Sequence, residues 1–193
     1  KAKSWETVRD LLKGDDAILA VLSYGDLYHN LKAAIKDAAA PGSHGNVYFD
    51  DCEVDGARMS QIVAEKDWQA LPAHMREAAK EASETFLHTG DGQLCDIIVD
   101  RSALAAIYEC GKNASDAIIR DYAETTVAVA DIKIAVRSQK TGKHLDFMRR
   151  AMAPCDSLNI ERLSWRCRRD LRVSGRNPLW GRRAGIKGIA VGV

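Results

Sequence analysis

Two pairs of basic side chains are the residues of this sequence best suited to bind a charged group. Lys32 and Lys36 form one pair, and Lys133 and Arg137 form the other, with the members of each pair four positions apart. Residues at that spacing share one face of a helix, where two like charges cost an isolated helix about 0.2–0.5 kcal/mol. Carboxylates should offset this repulsion, either as ion pairs inside the fold or on an acidic partner.

Both pairs belong to a seven-residue segment that occurs twice, 101 positions apart. The first copy, at 30–36, reads Asn-Leu-Lys-Ala-Ala-Ile-Lys, and the second, at 131–137, reads Asp-Ile-Lys-Ile-Ala-Val-Arg. Each copy begins with a short polar residue, continues with an aliphatic residue and a lysine, and ends on a base. Self-similarity at a fixed offset is typical of duplicated supersecondary units, so the sequence predicts a repeated architecture.

An acidic run at 51–56 is similar to the first half of a calcium-binding loop. It reads Asp-Cys-Glu-Val-Asp-Gly, with acids at alternate positions and a glycine at the sixth. The twelfth position of such a loop should be a Glu that supplies two oxygens, but Ile62 stands there, and Arg58 occupies the eighth, where an aliphatic residue is expected. We therefore interpret the run as an acidic loop and predict no metal site.

No arrangement of residues is typical of a catalytic site. The five histidines include no i,i+4 pair and no cysteine neighbour at zinc spacing, and glycine-rich phosphate loops and nucleophile elbows are absent. Cys95 and Cys110 have no local catalytic partner and fit small core side chains better than nucleophiles. Five cysteines without close pairing indicate a reduced, cytosolic protein. We expect no cofactor and rank an enzyme third among the possible functions.

Charge is divided unevenly along the chain although the net charge is only +1. Residues 1–160 carry a balance of −6, and residues 161–193 carry a balance of +7. Such a basic tail could make the protein a helical binding module for nucleic acid or an acidic protein. Only Trp165 and Trp180 are aromatic residues interleaved with its arginines, which weakens the nucleic-acid alternative without removing it.

Composition predicts an all-α fold that does not span a membrane. Hydrophobic residues make up 46% of the chain and aromatic residues only 6%, a balance that favours close-packed helices over a β-sandwich. No run of 18 apolar residues occurs. Capping residues and apolar spacing predict helices at about 4–12, 15–22, 26–40, 55–66, 71–86, 93–110, 115–139, 143–152 and 157–170.

The longest of these helices, at about 115–139, carries an apolar line whose members are separated by four and three residues alternately. This spacing is typical of a seam packed against neighbouring helices, so we predict that the line is buried. Its members are Ile118, Tyr122, Thr125, Val129, Ile132 and Val136.

Four segments, in the right order over about 20–163, resemble the C subunit of V/A-type ATPases, the counterpart of the d subunit in the eukaryotic enzymes. They are Tyr24-x-Asp26-x-x-His29-Asn30-Leu31-Lys32-x-x-Ile35-Lys36, then Ile97-Ile98-Val99-Asp100-Arg101, the stretch from Tyr122 to Arg137, and Ala153-Pro154-Cys155-Asp156-Ser157-Leu158. The second repeat departs from the family pattern, because Val127 and Asp131 replace the family's acid and Asn. Residues 164–193 show no resemblance.

The resemblance implies an all-α fold of repeated three-helix-bundle lobes, here about 15–92 and 93–163, followed by a basic Gly/Arg-rich tail at 164–193. Family members are longer, so it also predicts a truncated chain. It further implies a non-catalytic coupling subunit of the central stalk, used in ATP-driven ion transport or ATP synthesis. The expected partners are the rotor-shaft subunits and the membrane proteolipid ring, on the cytoplasmic face of the membrane. Lys32, Lys36, Lys133 and Arg137 are then candidates for contacts with a partner or between lobes.

Overall fold

The computed structural model describes Thr7 and residues 16–39 and 48–174, with side chains over 18–39 and 48–167. These residues form helices and no strand, which confirms the all-α prediction. The helix expected at about 4–12 lies outside the described residues apart from Thr7, as does the tail beyond 174. In chain order the helices are α1 Asp16–Ala39, α2 Gly56–Glu65, α3 Arg76–Thr89, α4 Gly92–Lys112, α5 Ala117–Lys140, α6 Leu145–Ala151 and α7 Ile160–Ser174.

Helix α1 is continuous, so the prediction of two helices at 15–22 and 26–40 was wrong. Asp26, expected as the cap of the second helix, lies in the interior of α1. A glycine inside a helix costs up to about 1 kcal/mol relative to alanine, and Gly25 interrupts the pattern. Burial of Val21 on one side of that glycine and of Leu27 and Tyr28 on the other outweighs this cost.

The chain between α2 and α3 also differs from the prediction. Two short 3₁₀ turns, Trp68–Ala70 and Ala73–Met75, replace the start of the helix expected to open at Leu71-Pro72. Pro72 has extended backbone dihedrals, and α3 begins only at Arg76. The connection from α3 to α4 is short, because Gly90 ends α3 with a φ of 65° and Asp91 caps α4.

Helices α4 and α5 pack closely because a glycine lies at their crossing. Gly111 of α4 is buried, and a Cβ at that position would overlap the Cβ of Ala123 in α5. The cap of α5 is Asp116, whose carboxylate accepts from the backbone N–H of Ile118 at 2.7 Å, so the helix expected at about 115–139 begins at Ala117. The close contact between Gly111 and Ala123 fixes the position of α5, which contains the second repeated segment, relative to α4.

Three hydrophobic clusters hold the described helices together. The largest joins α1, α2 and α3 to α4, and includes Leu31, Ile35 and Val99. The second joins the start of α1 and the end of α4 to Ala123 and Val127 of α5. The third packs Ala135 of α5 against Met148 and Met152, with α7 beside them. Helix α4 therefore packs against both of the helices that contain the repeated segments.

The predicted seam of α5 is not buried, which corrects the sequence interpretation. Ile118 is 74% exposed, and Tyr122, Val129, Ile132 and Val136 are between 40% and 46% exposed. Thr125, on the same line, is exposed as well. The opposite face of α5 is buried instead, and it consists of small or polar residues that allow close helix packing: Ala123, Val127, Asp131, Ala135 and Ser138.

Candidate functional site

The basic pair of α1 is engaged inside the fold. The Lys32 Nζ lies 2.6 Å from Oδ1 of Asp100, and the Lys36 Nζ lies 2.6 Å from Oδ1 of Asp96. Both acids belong to α4 and are themselves four residues apart, so the two ion pairs run along one antiparallel helix contact. The repulsion between the two lysines is therefore offset within this chain.

These ion pairs orient the helices more than they stabilise them. The two lysine side chains remain about a quarter exposed, at 25% and 28%. Exposed pairs of this kind contribute about 0–1 kcal/mol each, because water screens the attraction and two long side chains lose freedom. Burial of the neighbouring Leu31 and Ile35, each no more than 2% exposed, contributes more. The lysines fix the register of α1 against α4.

The basic pair of α5 has a different environment. Lys133 and Arg137 are exposed, and within the part of the chain that has described side chains neither forms an ion pair. Each follows an exposed apolar residue of the α5 line, Ile132 and Val136 respectively. The structure therefore brings two of the predicted candidates together with an apolar surface that the sequence interpretation placed in the core.

The short polar residue that begins each repeated segment is buried and binds a backbone segment that follows it in the chain. Asn30 accepts from the Phe49 N–H at 2.9 Å and donates to the Phe49 carbonyl at 2.8 Å. Asp131 accepts from the Ala153 N–H at 3.1 Å through Oδ1. These two residues were not among the predicted site residues, although their shared position in the repeat was visible in the sequence.

Asp131 is less completely paired than Asn30. Its Oδ2 is buried with no hydrogen-bond partner among the described residues. Burial raises the pKa of Asp131 to about 6, against the smaller lowering effects of the Ala153 N–H and of the positive charge on Arg101. When Asp131 is protonated, its carboxyl carries an O–H donor, as the Asn30 side chain carries amide N–H donors at the same position of the repeat.

The acidic run forms the structural loop that the sequence predicted. Asp55 caps α2 by accepting from the Arg58 N–H at 2.8 Å, and Ile62 is buried in the core. Asp50, Asp51 and other residues of the loop line one wall of a cleft of about 400 Å³, and the opposite wall belongs to the first half of α1. No group of three or more His, Cys, Asp or Glu residues suited to a metal is found in the described regions.

Burial shifts the pKa values of two cysteine thiols and of one histidine. Burial raises the pKa of the Cys52 and Cys95 thiols to about 11, which keeps them from forming nucleophilic thiolates. Burial also lowers the pKa of His74, whose ring lies against that of Tyr24 and whose Nδ1 is 3.0 Å from the Tyr28 hydroxyl. The hydroxyl of Tyr28 also donates to the His74 carbonyl, so this group holds α1 to the turn before α3.

Comparison with known protein families gives one match. The chain matches the family described as the ATP synthase (C/AC39) subunit over residues 1–170. This match is longer than the resemblance at about 20–163, because it includes the first residues and most of α7. No curated protein and no solved structure was found to match the chain. Within the described residues, no helix is long and apolar enough to cross a membrane. The protein belongs to the ATP synthase (C/AC39) subunit family of V/A-type rotary ATPases.

Proposed function

We propose that this protein is a non-catalytic coupling subunit of the central stalk in a V/A-type ATPase. In this role it links the rotor-shaft subunits to the proteolipid ring, on the cytoplasmic face of the membrane, during ion transport or ATP synthesis. The observation that carries the proposal is the family match over residues 1–170. The division into lobes at about 15–92 and 93–163, followed by a basic tail, remains part of the proposal.

The packing of the described residues supports a mechanical role. The repeated helices α1 and α5 are held to α4 by buried small and aliphatic residues and, for α1, by two ion pairs. Close-packed interiors deform little under load, so such an assembly transmits force between the surfaces it contacts. The lysines of α1 act in this proposal as contacts between helices of the subunit, and Lys133 and Arg137 of α5 as contacts with a partner.

Co-expression with the shaft subunits and the proteolipid ring tests the proposal. We expect the chain to purify with both and to restore ATP hydrolysis that depends on the ring. The double variant Lys133→Glu with Arg137→Glu should weaken retention of the partner without unfolding the chain. A matched double reversal at Arg58 and Lys80, which are exposed on α2 and α3, should leave retention unchanged. Failure of the wild-type chain to associate with either partner would refute the coupling role.

The alternative of a helical binding module for nucleic acid or an acidic protein depends on the basic residues of 161–193, and those beyond 174 lie outside the described residues. Within the described part, Arg162, Trp165 and Arg166 are exposed on α7. Retention on nucleic acid that falls with salt and disappears when 164–193 are deleted would favour this alternative.

A further inference from the structure

The two repeated helices correspond along their whole length. Helices α1 and α5 each contain 24 residues, and both their first and last residues are 101 positions apart. Each residue of α1 therefore has a counterpart in α5. The buried polar residues Asn30 and Asp131 occupy the same position, which shows that the correspondence extends from sequence to packing.

In the first copy, the face that carries the basic pair is covered by α4. Leu31 and Ile35 are buried in the cluster that also contains Val99 of α4. Lys32 and Lys36 are paired with Asp100 and Asp96. Because the earlier lysine meets the later acid, α4 runs antiparallel to α1. The apolar stripe of α4, with two acids at its border, thus covers the apolar stripe of α1, with two bases at its border.

In the second copy, none of the described helices covers the same face. Ile132 and Val136, the counterparts of Leu31 and Ile35, are 44% and 40% exposed. Lys133 and Arg137 stand where the first copy has its paired lysines, and the salt bridges found among the described residues do not include them. The second copy presents the kind of surface that α4 covers in the first, and no helix in the described part of the chain covers it.

We propose that the outer face of α5 docks an amphipathic helix of another polypeptide that has the chemistry of α4. That helix carries small aliphatic residues on one stripe and two carboxylates spaced four residues apart at its border, and it runs antiparallel to α5. A second copy of this chain does not supply it, because its α4 is already engaged with α1. A nucleic acid would satisfy the two bases but would leave the apolar line, from Ile118 to Val136, in water. This inference rests on the internal repeat and not on the proposed coupling role.

A peptide with the sequence of residues 92–112 is the probe, with Cys95 and Cys110 replaced by alanine and a fluorophore at one end. We expect it to bind the folded full-length chain, as measured by fluorescence anisotropy. The double variant Ile132→Asp with Val136→Asp should weaken binding by about tenfold or more, because two apolar contacts are lost. The control Leu87→Asp changes a residue that is 57% exposed on α3 and should leave affinity unchanged. All variants alter exposed positions, and circular dichroism checks that they fold.

A charge exchange distinguishes this site from a nonspecific apolar contact. Reversal of Lys133 and Arg137 to glutamate should weaken binding of the native peptide. A peptide whose two aspartates are replaced by lysine should bind the reversed protein better than the wild-type protein. Absence of binding would overturn the proposal. Binding that is unchanged by both the apolar and the charge substitutions would also overturn it. Binding that depends on Lys32 and Lys36 would overturn it as well, because the peptide would then be displacing α4 from α1. Each of these results leaves the co-expression test of the coupling role intact.

Discussion

Replacement of Asp131 by asparagine is expected to stabilise the protein, and the gain should depend on pH. Asp131 is fully buried, and among the described residues only its Oδ1 is paired, with the Ala153 N–H. The Asp131→Asn variant keeps an acceptor for that N–H and removes a carboxylate that must otherwise be buried with one oxygen unpaired. It also reproduces the residue found at the same position of the first copy.

The size of the effect follows from the raised pKa. Burial moves the pKa of Asp131 from 3.8 to about 6, and each pKa unit corresponds to about 1.36 kcal/mol. The folded state therefore holds its proton more tightly than the unfolded state does, and wild-type stability falls as pH rises from about 4 to about 6. Ionisation costs the wild-type protein about 3 kcal/mol above that window and almost nothing below it. The asparagine variant does not titrate and avoids this cost.

Urea denaturation of both proteins between pH 4 and pH 8 measures the difference. We expect the variant to gain about 3 kcal/mol near pH 8, about half of that near pH 5, and about 0.5 kcal/mol near pH 4. Charges elsewhere cancel in the comparison, because the two proteins differ only at this group. A gain that is the same at every pH, or no gain at all, would refute the reasoning, since it would mean that Asp131 titrates normally in the fold.

The converse substitution at Asn30 is the matched control. Asn30→Asp removes the donor to the Phe49 carbonyl and places a carboxylate in a buried site. We expect it to destabilise the protein near pH 8 and to do so less as the pH falls. If Asn30→Asp and Asp131→Asn changed stability in the same direction near pH 8, the equivalence of the two sites would be wrong.

Local chemistry made several elements predictable. Asp55 caps α2 at the start of the helix expected at about 55–66, and Gly90 ends α3 in the left-handed region within the turn that precedes the helix expected at about 93–110. These features depend on contacts within four residues, so a single sequence contains them. The continuity of α1 did not follow from local signals, because it depends on burial of residues on both sides of Gly25 by helices that come later in the chain.

The burial of the α5 face could not be predicted for a related reason. Apolar spacing shows which residues share a face, but it does not show whether another helix covers that face. Tyr122 and Val129 have the spacing of a core stripe and are exposed, whereas Ala123 and Val127 are buried in the cluster that contains the end of α4. The partners of the basic pair of α1 are Asp96 and Asp100, which lie sixty or more residues later in the chain. Their own i,i+4 spacing was visible in the sequence and could have indicated that they pair with the two lysines.

Two further comparisons test the packing of the repeated helices. Leu31→Ala should cost about 2–5 kcal/mol, because it opens a cavity in the core, whereas its counterpart Ile132→Ala should cost about 1 kcal/mol or less in the isolated chain. Equal losses of unfolding free energy in the two variants, measured by denaturation, would mean that the α5 face is covered. Gly111→Ala should destabilise by about 1–3 kcal/mol, because its Cβ meets that of Ala123 across the α4–α5 contact. Gly25→Ala is the opposite case, since nothing lies within 4 Å of its Cβ position, and it should stabilise α1 by about 0.5–1 kcal/mol. A Gly111→Ala variant as stable as Gly25→Ala would show that α4 and α5 can separate without loss, and the repeat would then lack the rigid contact that a coupling role requires.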